Sequence, residues 1–300
     1  MTKKKEEKTK EFKPSQVVVT VVFLSLILIA LLVGFSRKRV FSESLGVNLV
    51  VVNEDRVALL GVRPKEKSIV WLDLPGNLQL KVVDREAWYP ASSLWGLGEI
   101  EGDEKEMVRA SIQQDLGLAM AGVVRLQGEM SVDEVMRSLI DVRTRTSLNW
   151  WDRIVLYRTL TKMGSRGLIW ETNLPGAVVE TRQEEDGSEW RRLNESIWVW
   201  TKDLWPSEEV LSLGVTAAVY NCSEVSGKAR LMSHVLESEG LRVVEVAAKE
   251  EENHRGCWFD LEIESDELEW LLERQLGCQR KNNLDKRDEV EADLTVWLGD

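Results

Sequence analysis

Histidine and cysteine are scarce in this chain, which has two His and three Cys among its 300 residues. A zinc site needs three or four such ligands close together, so the sequence predicts no dedicated metal centre. No Ser-His-Asp or Cys-His arrangement can be assembled around either histidine. We therefore interpret His234 and His254 as surface residues exposed to solvent.

Basic side chains are outnumbered by acidic ones over most of the chain. The formal net charge is −12, and residues 1–39, with nine basic and three acidic side chains, contribute +6, so residues 40–300 carry −12 − 6 = −18. A body of that sign repels phosphate backbones, and nucleic-acid binding then loses its main attractive term. The sequence predicts no nucleic-acid partner.

Charged side chains are absent from residues 14–36, which are rich in Val, Leu, Ile and Phe. A helix of this length reaches about 34 Å, enough to cross a bilayer core. The run is longer than a signal-peptide core and lacks a small-residue cleavage pattern, so we expect one uncleaved transmembrane helix. Lysines crowd residues 1–13, and the positive-inside bias places that basic tail in the cytoplasm and residues 40–300 outside the cell membrane.

Beyond the span, strand and helix patterns alternate, which predicts a larger α/β layered domain. Proline and acidic residues near 206–212 mark its end. The predicted strands are Val47–Val52, Arg56–Val62, Ser68–Leu72, Leu78–Val83 and Gly122–Leu126, and the predicted helices are Asp103–Leu116, Ser131–Ile140 and Leu148–Met163. Gly96–Gly102 has the wrong spacing for a phosphate-binding loop and is expected to be an ordinary loop.

The last ninety residues predict a small two-layer domain with the order βαββαβ. A strand over Val215–Tyr220 precedes a helix over Gly227–Glu239. Ser265 is expected to cap a second helix that ends at Gly277. The remaining predicted strands are Leu241–Ala247, Cys257–Ile263 and Leu294–Leu298.

Residues 213–300 resemble the C-terminal domain of LytR-type cell-envelope proteins. The resemblance lies in Val215-Thr-Ala-Ala-Val-Tyr-Asn-Cys-Ser, in Gly240-Leu-Arg-Val-Val and in the closing Ala292-Asp-Leu-Thr-Val-Trp-Leu-Gly-Asp. Cys222 stands where that family commonly has glycine after the asparagine. The resemblance implies a bacterial envelope protein.

Residues 46–205 resemble the LytR-CpsA-Psr domain, through Asp55-Arg-Val-Ala-Leu-Leu-Gly-Val-Arg and the segment that follows it. Such domains transfer lipid-linked glycopolymers to peptidoglycan, with Arg and Asp residues around a pyrophosphate and a divalent metal. Here Pro75-Gly76-Asn77 replaces the family's Pro-Arg-Asp, so a cation and a carboxylate are both missing. The resemblance thus implies a degenerate domain without catalytic activity.

Two functions follow from these resemblances. The first is a non-catalytic binding or scaffolding protein of the envelope, without a cofactor, whose partners are the lipid bilayer and either a cell-wall glycopolymer or another envelope protein. The alternative is a divergent Mg²⁺-dependent glycopolymer transferase. Its candidate residues are Asp55, Asp73 and Asp84 with Arg56, Arg63 or Arg85.

Two further pairs of residues are candidates for specific roles. The strand that begins at Cys257 is about 20 Å long, and the helix that follows runs back about 17 Å in the opposite direction to Cys278. The two cysteines should therefore lie close together, either as a disulfide or as two buried thiols. Trp198 and Trp200 alternate as on one face of a strand, where they would form either a binding shelf or part of the core.

Overall fold

The computed structural model describes residues 21–23, 25, 39–83, 85, 87–164, 168–183, 187, 189–249, 255–281 and 290–300. The transmembrane helix expected over 14–36 lies outside these residues, apart from 21–23 and 25, which are helical. Within the described ranges we find no helix with the length and apolarity that a bilayer crossing requires. His254 and Asp84 also lie outside the described residues.

Residues Val40–Asp300 form one unit that mixes strands and helices, which confirms the mixed α/β class. The predicted domain limits, 46–205 and 213–300, stay predictions. In chain order the elements are β1 (Val47–Val52), β2 (Val57–Arg63), β3 (Ser68–Leu74), β4 (Leu78–Lys81), β5 (Trp88–Pro90), α1 (Leu94–Glu101), α2 (Glu104–Leu116), β6 (Gly122–Arg125), α3 (Val132–Ile140), α4 (Trp150–Gly164), β7 (Leu168–Asn173), β8 (Val179–Gln183), β9 (Glu189–Leu193), α5 (Ser196–Lys202), α6 (Glu208–Leu213), β10 (Thr216–Asn221), α7 (Lys228–Ser238), β11 (Arg242–Ala248), β12 (Cys257–Leu261), α8 (Asp266–Trp270), β13 (Gln279–Arg280) and β14 (Leu294–Leu298).

The first sheet has the strand order β6-β1-β2-β3-β7. Strand β1 is parallel to β6 and antiparallel to β2, and β3 is parallel to β7. Every residue of β1 and β2 is buried, because separate apolar clusters cover the two faces of the sheet. Strands covered on both faces have continuous apolar runs, and this explains why the sequence predicts them well.

A second sheet, with the order β5-β4-β9-β8, packs against one of those clusters. Leu78 and Leu80 of β4 are fully buried on its inner face. The third sheet has the order β11-β10-β14-β12-β13, and helices α7 and α8 supply apolar side chains to the cluster on one of its faces. The expected β10-α7-β11-β12-α8-β14 order is present, with the two-residue strand β13 added before β14.

Helix ends follow the capping residues of the sequence. The Asp103 side chain accepts a hydrogen bond from Glu106 N, the Ser131 side chain from Glu134 N, and the Ser265 side chain from Leu268 N. Each of these bonds satisfies a backbone donor that the first helical turn leaves without a partner. After Trp270 the backbone continues as a π-helical turn over Leu271–Gln275.

Two local predictions are wrong. Residues 198–200 lie in helix α5, because Ile197 and Thr201, four positions apart, are buried on one helical face and outweigh the strand preference of the aromatic residues. Residues 94–101 form helix α1 instead of a loop. Its Gly98 permits close packing against α2, since a Cβ there would lie 2.3 Å from Glu104 Cα.

Candidate functional site

A cleft of about 350 Å³ opens at the carboxyl end of the parallel strands β1 and β6. It is lined by residues that follow these two strands and by residues that follow α3: Glu54, Arg125, Leu126, Gln127, Arg143 and Arg145. Strand β2 lies on one side of β1 in the sheet, and β6, which comes later in the chain, lies on the other side. The cleft is therefore at the point where successive strands change from one side of β1 to the other. In open α/β sheets that is the usual place for a ligand.

The segment after α3 is fixed along the outer edge of β6. Arg125 N donates to Arg145 O at 3.0 Å, and Thr146 forms an isolated bridge with Val124. Thr146 Oγ1 also donates to Val123 O at 2.6 Å. These bonds hold Arg145 beside Arg125, although the two arginines are twenty positions apart in the sequence.

Trp95 of α1 lies beneath the two guanidinium groups. The Cζ atoms of Arg125 and Arg145 are 5.0 Å and 5.2 Å from the centroid of its ring, within the range of a cation–π contact. Trp95 is 5 % exposed, so its buried indole supports the two arginine side chains that line the cleft.

Glu99, one turn after Trp95, connects these groups. Its Oε1 accepts hydrogen bonds from Trp95 Nε1 and Arg125 Nη1, each at 3.0 Å, and from Arg145 Nη1. Arg145 Nη2 also donates to Glu104 Oε1 at 3.0 Å. The hydrogen bond from the Trp95 indole, followed by that from Arg145, lowers the pKa of Glu99, and the bond to Glu99 raises the pKa of Arg145. Glu99 and Arg145 are therefore both ionised at neutral pH.

Arg143 differs from the other two arginines of the cleft. Among the residues that the structure describes, its guanidinium makes no ion pair, although it is exposed and lines the cleft. Arginine guanidinium groups bind phosphate through paired N–H donors in a planar fork. The three arginines can therefore bind a phosphate or pyrophosphate group, with Arg143 as the cation that no carboxylate already neutralises.

The residues expected to act in the alternative, catalytic interpretation are only partly brought together. Asp55, Arg56 and Asp73 lie at the same edge of the sheet as the cleft, where Arg56 Nη2 is 3.2 Å from Asp73 Oδ1. Arg63 ends β2 at the opposite edge, roughly 23 Å away along the strand. Arg85 pairs with Glu101 instead.

The acidic residues at this edge do not fit a magnesium ion. Mg²⁺ prefers a near-octahedral set of oxygen ligands that includes one or two free carboxylates. Asp73 is paired with Arg56, and Glu99 and Glu104 are paired with arginines. Glu54 and Asp55 make no ion pair among the described residues, but no three acidic, His or Cys side chains of the described ranges converge as a metal site.

Arg63 instead joins the first sheet to the chain around α6 and α7. Its side chain is 3 % exposed and donates from Nε to Trp205 O at 3.1 Å and from Nη2 to the same oxygen at 2.6 Å. Glu239 is equally buried, with its Oε2 3.9 Å from Arg63 Nη2 and its Oε1 3.2 Å from Asn48 Nδ2. Burial raises the pKa of Glu239 and lowers the pKa of Arg63. The attraction between the two opposite charges partly counteracts both of these pKa shifts.

Trp198 and Trp200 are half-buried and pack on the core beneath the second sheet. Residues two apart in a helix point in nearly opposite directions, so the two rings do not share one face. The ring of Trp198 stacks on His234 of α7, with centroids 4.3 Å apart. The expectation that His234 is freely solvated is therefore wrong, and burial lowers its pKa.

Cys257 and Cys278 form a disulfide, with their Cα atoms 4.5 Å apart. Cys257 begins β12, and the chain returns through α8 and its π-helical turn to Gly277, whose left-handed backbone (φ 70°) turns Cys278 towards the strand. Cys222 is not disulfide-bonded.

The sequence did contain one signal for the cleft. Arg143 and Arg145 are separated by one residue just after the helix that ends at Ile140, and both are candidates for an anion site in such a position. No sequence pattern indicates a role for Trp95 or Glu99, because Gly96–Gly102 favours a loop and the helix that places both side chains at the arginines is not predicted.

Comparisons with solved structures found similar backbones among LytR-CpsA-Psr proteins. A crystal structure of TagT from B. subtilis has a TM-score of 0.40 and 11% sequence identity, and the match covers 56% of this chain and 94% of that one. The LytR-CPS2A-psr family protein YwtF (TagT), with bound octaprenyl pyrophosphate lipid, has a TM-score of 0.37 and 12% identity over 53% of this chain and 90% of that one. A transcriptional regulator from Enterococcus faecalis has a TM-score of 0.41 and 10% identity over 67% and 91% of the two chains. No protein-family model matches the sequence, and no curated protein does so.

Proposed function

We propose that this chain is a membrane-anchored protein of the bacterial cell envelope that binds a phosphate-bearing glycopolymer, lipid-linked or wall-bound, without transferring it. Two arginines over the Trp95 ring and a third, Arg143, that lines the same cleft carry the proposal, at the carboxyl end of the parallel strands β1 and β6. The resemblance of residues 46–205 to the LytR-CpsA-Psr domain agrees with a pyrophosphate ligand. The apolar run at 14–36 supports the anchor, with residues 40–300 outside the membrane.

The charge pairs of the cleft favour binding over chemistry. Displacement at a pyrophosphate needs cations that neutralise charge developing on the leaving oxygens, together with a group that activates the nucleophile. Glu99 and Glu104 are held by arginines, and Gly76 and Asn77 stand where the family has its own charged pair. The side chains present can hold an anion, but the two carboxylates that contact the cleft arginines, Glu99 and Glu104, are engaged in ion pairs and are not available as a base.

Titration of the full-length chain with pyrophosphate tests the binding step. We expect Arg143→Gln to weaken binding about tenfold, since a charge-assisted contact to an anion contributes on the order of 1.5–3 kcal/mol. Arg137→Gln is the matched control, because Arg137 is an exposed arginine of α3 paired with Glu134. Equal affinities of the wild type and Arg143→Gln would contradict the assignment of the cleft.

The transferase remains the second candidate, because Asp55 and the Arg56–Asp73 pair lie at the same edge. Incubation with a polyprenyl-pyrophosphate glycan, Mg²⁺ and peptidoglycan distinguishes the two functions. The binding function predicts association of the glycan without release of polyprenyl phosphate. Release that Asp55→Ala abolishes would establish the transferase instead.

A further inference from the structure

The outer face of the second sheet presents a row of aromatic and cationic side chains. Strand pairing places Gln79 opposite Arg192, Lys81 opposite Trp88, and Arg182 opposite Trp190. Paired residues share a face, and this face is opposite to the one that carries Leu78 and Leu80 into the core. We call this surface, formed by Lys81, Trp88, Glu180, Arg182, Trp190 and Arg192 together with the buried Gln79, the tryptophan–arginine face.

The centre of the tryptophan–arginine face is held in place before any ligand binds. The Arg192 Cζ atom lies 4.7 Å from the centroid of the Trp88 ring, and Arg192 Nε donates to Gln79 Oε1 at 2.8 Å. Trp88 is nevertheless 38 % exposed. An ordered guanidinium beside an accessible indole loses little side-chain entropy on binding, which favours affinity.

The net charge of this face is opposite in sign to that of residues 40–300 as a whole. Its described residues include three cations, Lys81, Arg182 and Arg192, and one anion, Glu180, which lies opposite Arg192, for a net charge of +2. Residues 40–300 together carry −18. A local positive surface on an acidic body attracts anions selectively, and a strand spacing of about 4.8 Å suits an extended chain with repeated charges.

We infer that the tryptophan–arginine face binds an acidic polysaccharide. The exposed Trp88 indole offers an apolar plane against which the C–H face of a sugar ring can stack, and the Arg192 and Arg182 guanidinium groups can pair with carboxylate or phosphate groups on the chain. This surface lies on a different sheet from the arginine cleft. The inference rests on the proposed function only for the choice of an envelope glycan as the natural ligand.

The test is calorimetric titration of the full-length chain with sodium oligogalacturonate, a soluble polymer with one carboxylate on each sugar. We expect binding that weakens as the salt concentration rises from about 50 mM to about 300 mM, because salt screens exposed charges. Trp88→Ala and Arg192→Gln should each weaken binding about fivefold, which corresponds to roughly 1 kcal/mol. Trp88→Phe keeps an aromatic plane and should stay within about twofold of the wild type.

Trp170→Ala is the matched control, since Trp170 is an exposed tryptophan (58 %) on a strand of the first sheet, and it should bind as the wild type does. Wild-type affinity in Trp88→Ala and Arg192→Gln would overturn the inference. So would a complete absence of oligogalacturonate binding, or equal binding of neutral maltohexaose. Pyrophosphate titrations run beside these separate the two proposals: Arg143→Gln should affect pyrophosphate alone, and Trp88→Ala the glycan alone.

Discussion

Asp115→Asn should stabilise the protein above neutral pH. The Asp115 carboxylate, on α2, accepts a hydrogen bond from Lys81 N at 2.6 Å, but burial raises its pKa from 3.8 to about 7. In the folded chain the carboxyl group is therefore neutral over a pH range in which the unfolded chain has already lost the proton. Asparagine retains an oxygen that accepts from Lys81 N and removes the buried charge.

The sign of the effect follows from linkage. A carboxyl group with a raised folded-state pKa contributes stability that is complete below pH 3.8 and is lost as the pH rises through about 7. The full shift corresponds to about 4 kcal/mol, and partial access of the side chain to solvent reduces the expected difference to roughly 2 kcal/mol. The stability of Asp115→Asn relative to the wild type should therefore rise between pH 4 and pH 7 and then level off.

Urea unfolding followed by tryptophan fluorescence at a series of pH values measures this difference. Asp293→Asn is the matched control of opposite sign. Hydrogen bonds from Thr216 N (2.8 Å) and Thr216 Oγ1 (2.7 Å) lower the pKa of Asp293, so its stabilisation is present above pH 3.8 and is lost in acid. A pH-independent difference between Asp115→Asn and the wild type would refute the reasoning.

Two further predictions concern the links within the chain. Glu239→Gln should lower the free energy of unfolding by about 3 kcal/mol, because the buried Arg63 guanidinium loses its carboxylate partner. Thermal unfolding measures this change, and an unchanged midpoint temperature would contradict the prediction. Native protein purified without reductant should titrate one thiol, Cys222, and reduction of the Cys257–Cys278 bond should cost about 3 kcal/mol of stability, whereas three native thiols would exclude the bond.

The sequence predicts those parts of the fold that depend on local patterns. Continuous apolar runs define β1 and β14, and Ser131 and Ser265 mark helix starts, because a strand covered on both faces and an unpaired helix terminus each restrict the residue types. Residues 198–200 show the limit of such patterns. Their composition favours a strand, yet the burial of Ile197 and Thr201 selects a helix.

The candidate site depends on long-range pairing, which no local pattern reveals. Arg125 and Arg145 meet because the segment after α3 bonds to the edge of β6. Trp95 reaches them from helix α1, whose two glycines and C-terminal Gly102 favour a loop on composition alone. Arg63 and Asp55 are candidates for one site in the transferase interpretation, and they are eight positions apart. A strand of that length instead places them at opposite edges of the sheet.

The central claim is that the arginine cleft binds a phosphate-bearing glycan in the living cell. The most direct measurement places a photo-crosslinking amino acid at Gln127, which lines the cleft, and identifies by mass spectrometry what is captured in intact cells. We expect an adduct that contains both phosphate and sugar. Arg145→Gln should abolish this adduct, and the same crosslinker placed at Arg137 should not form it. An adduct without phosphate, or one that persists in Arg145→Gln, would contradict it.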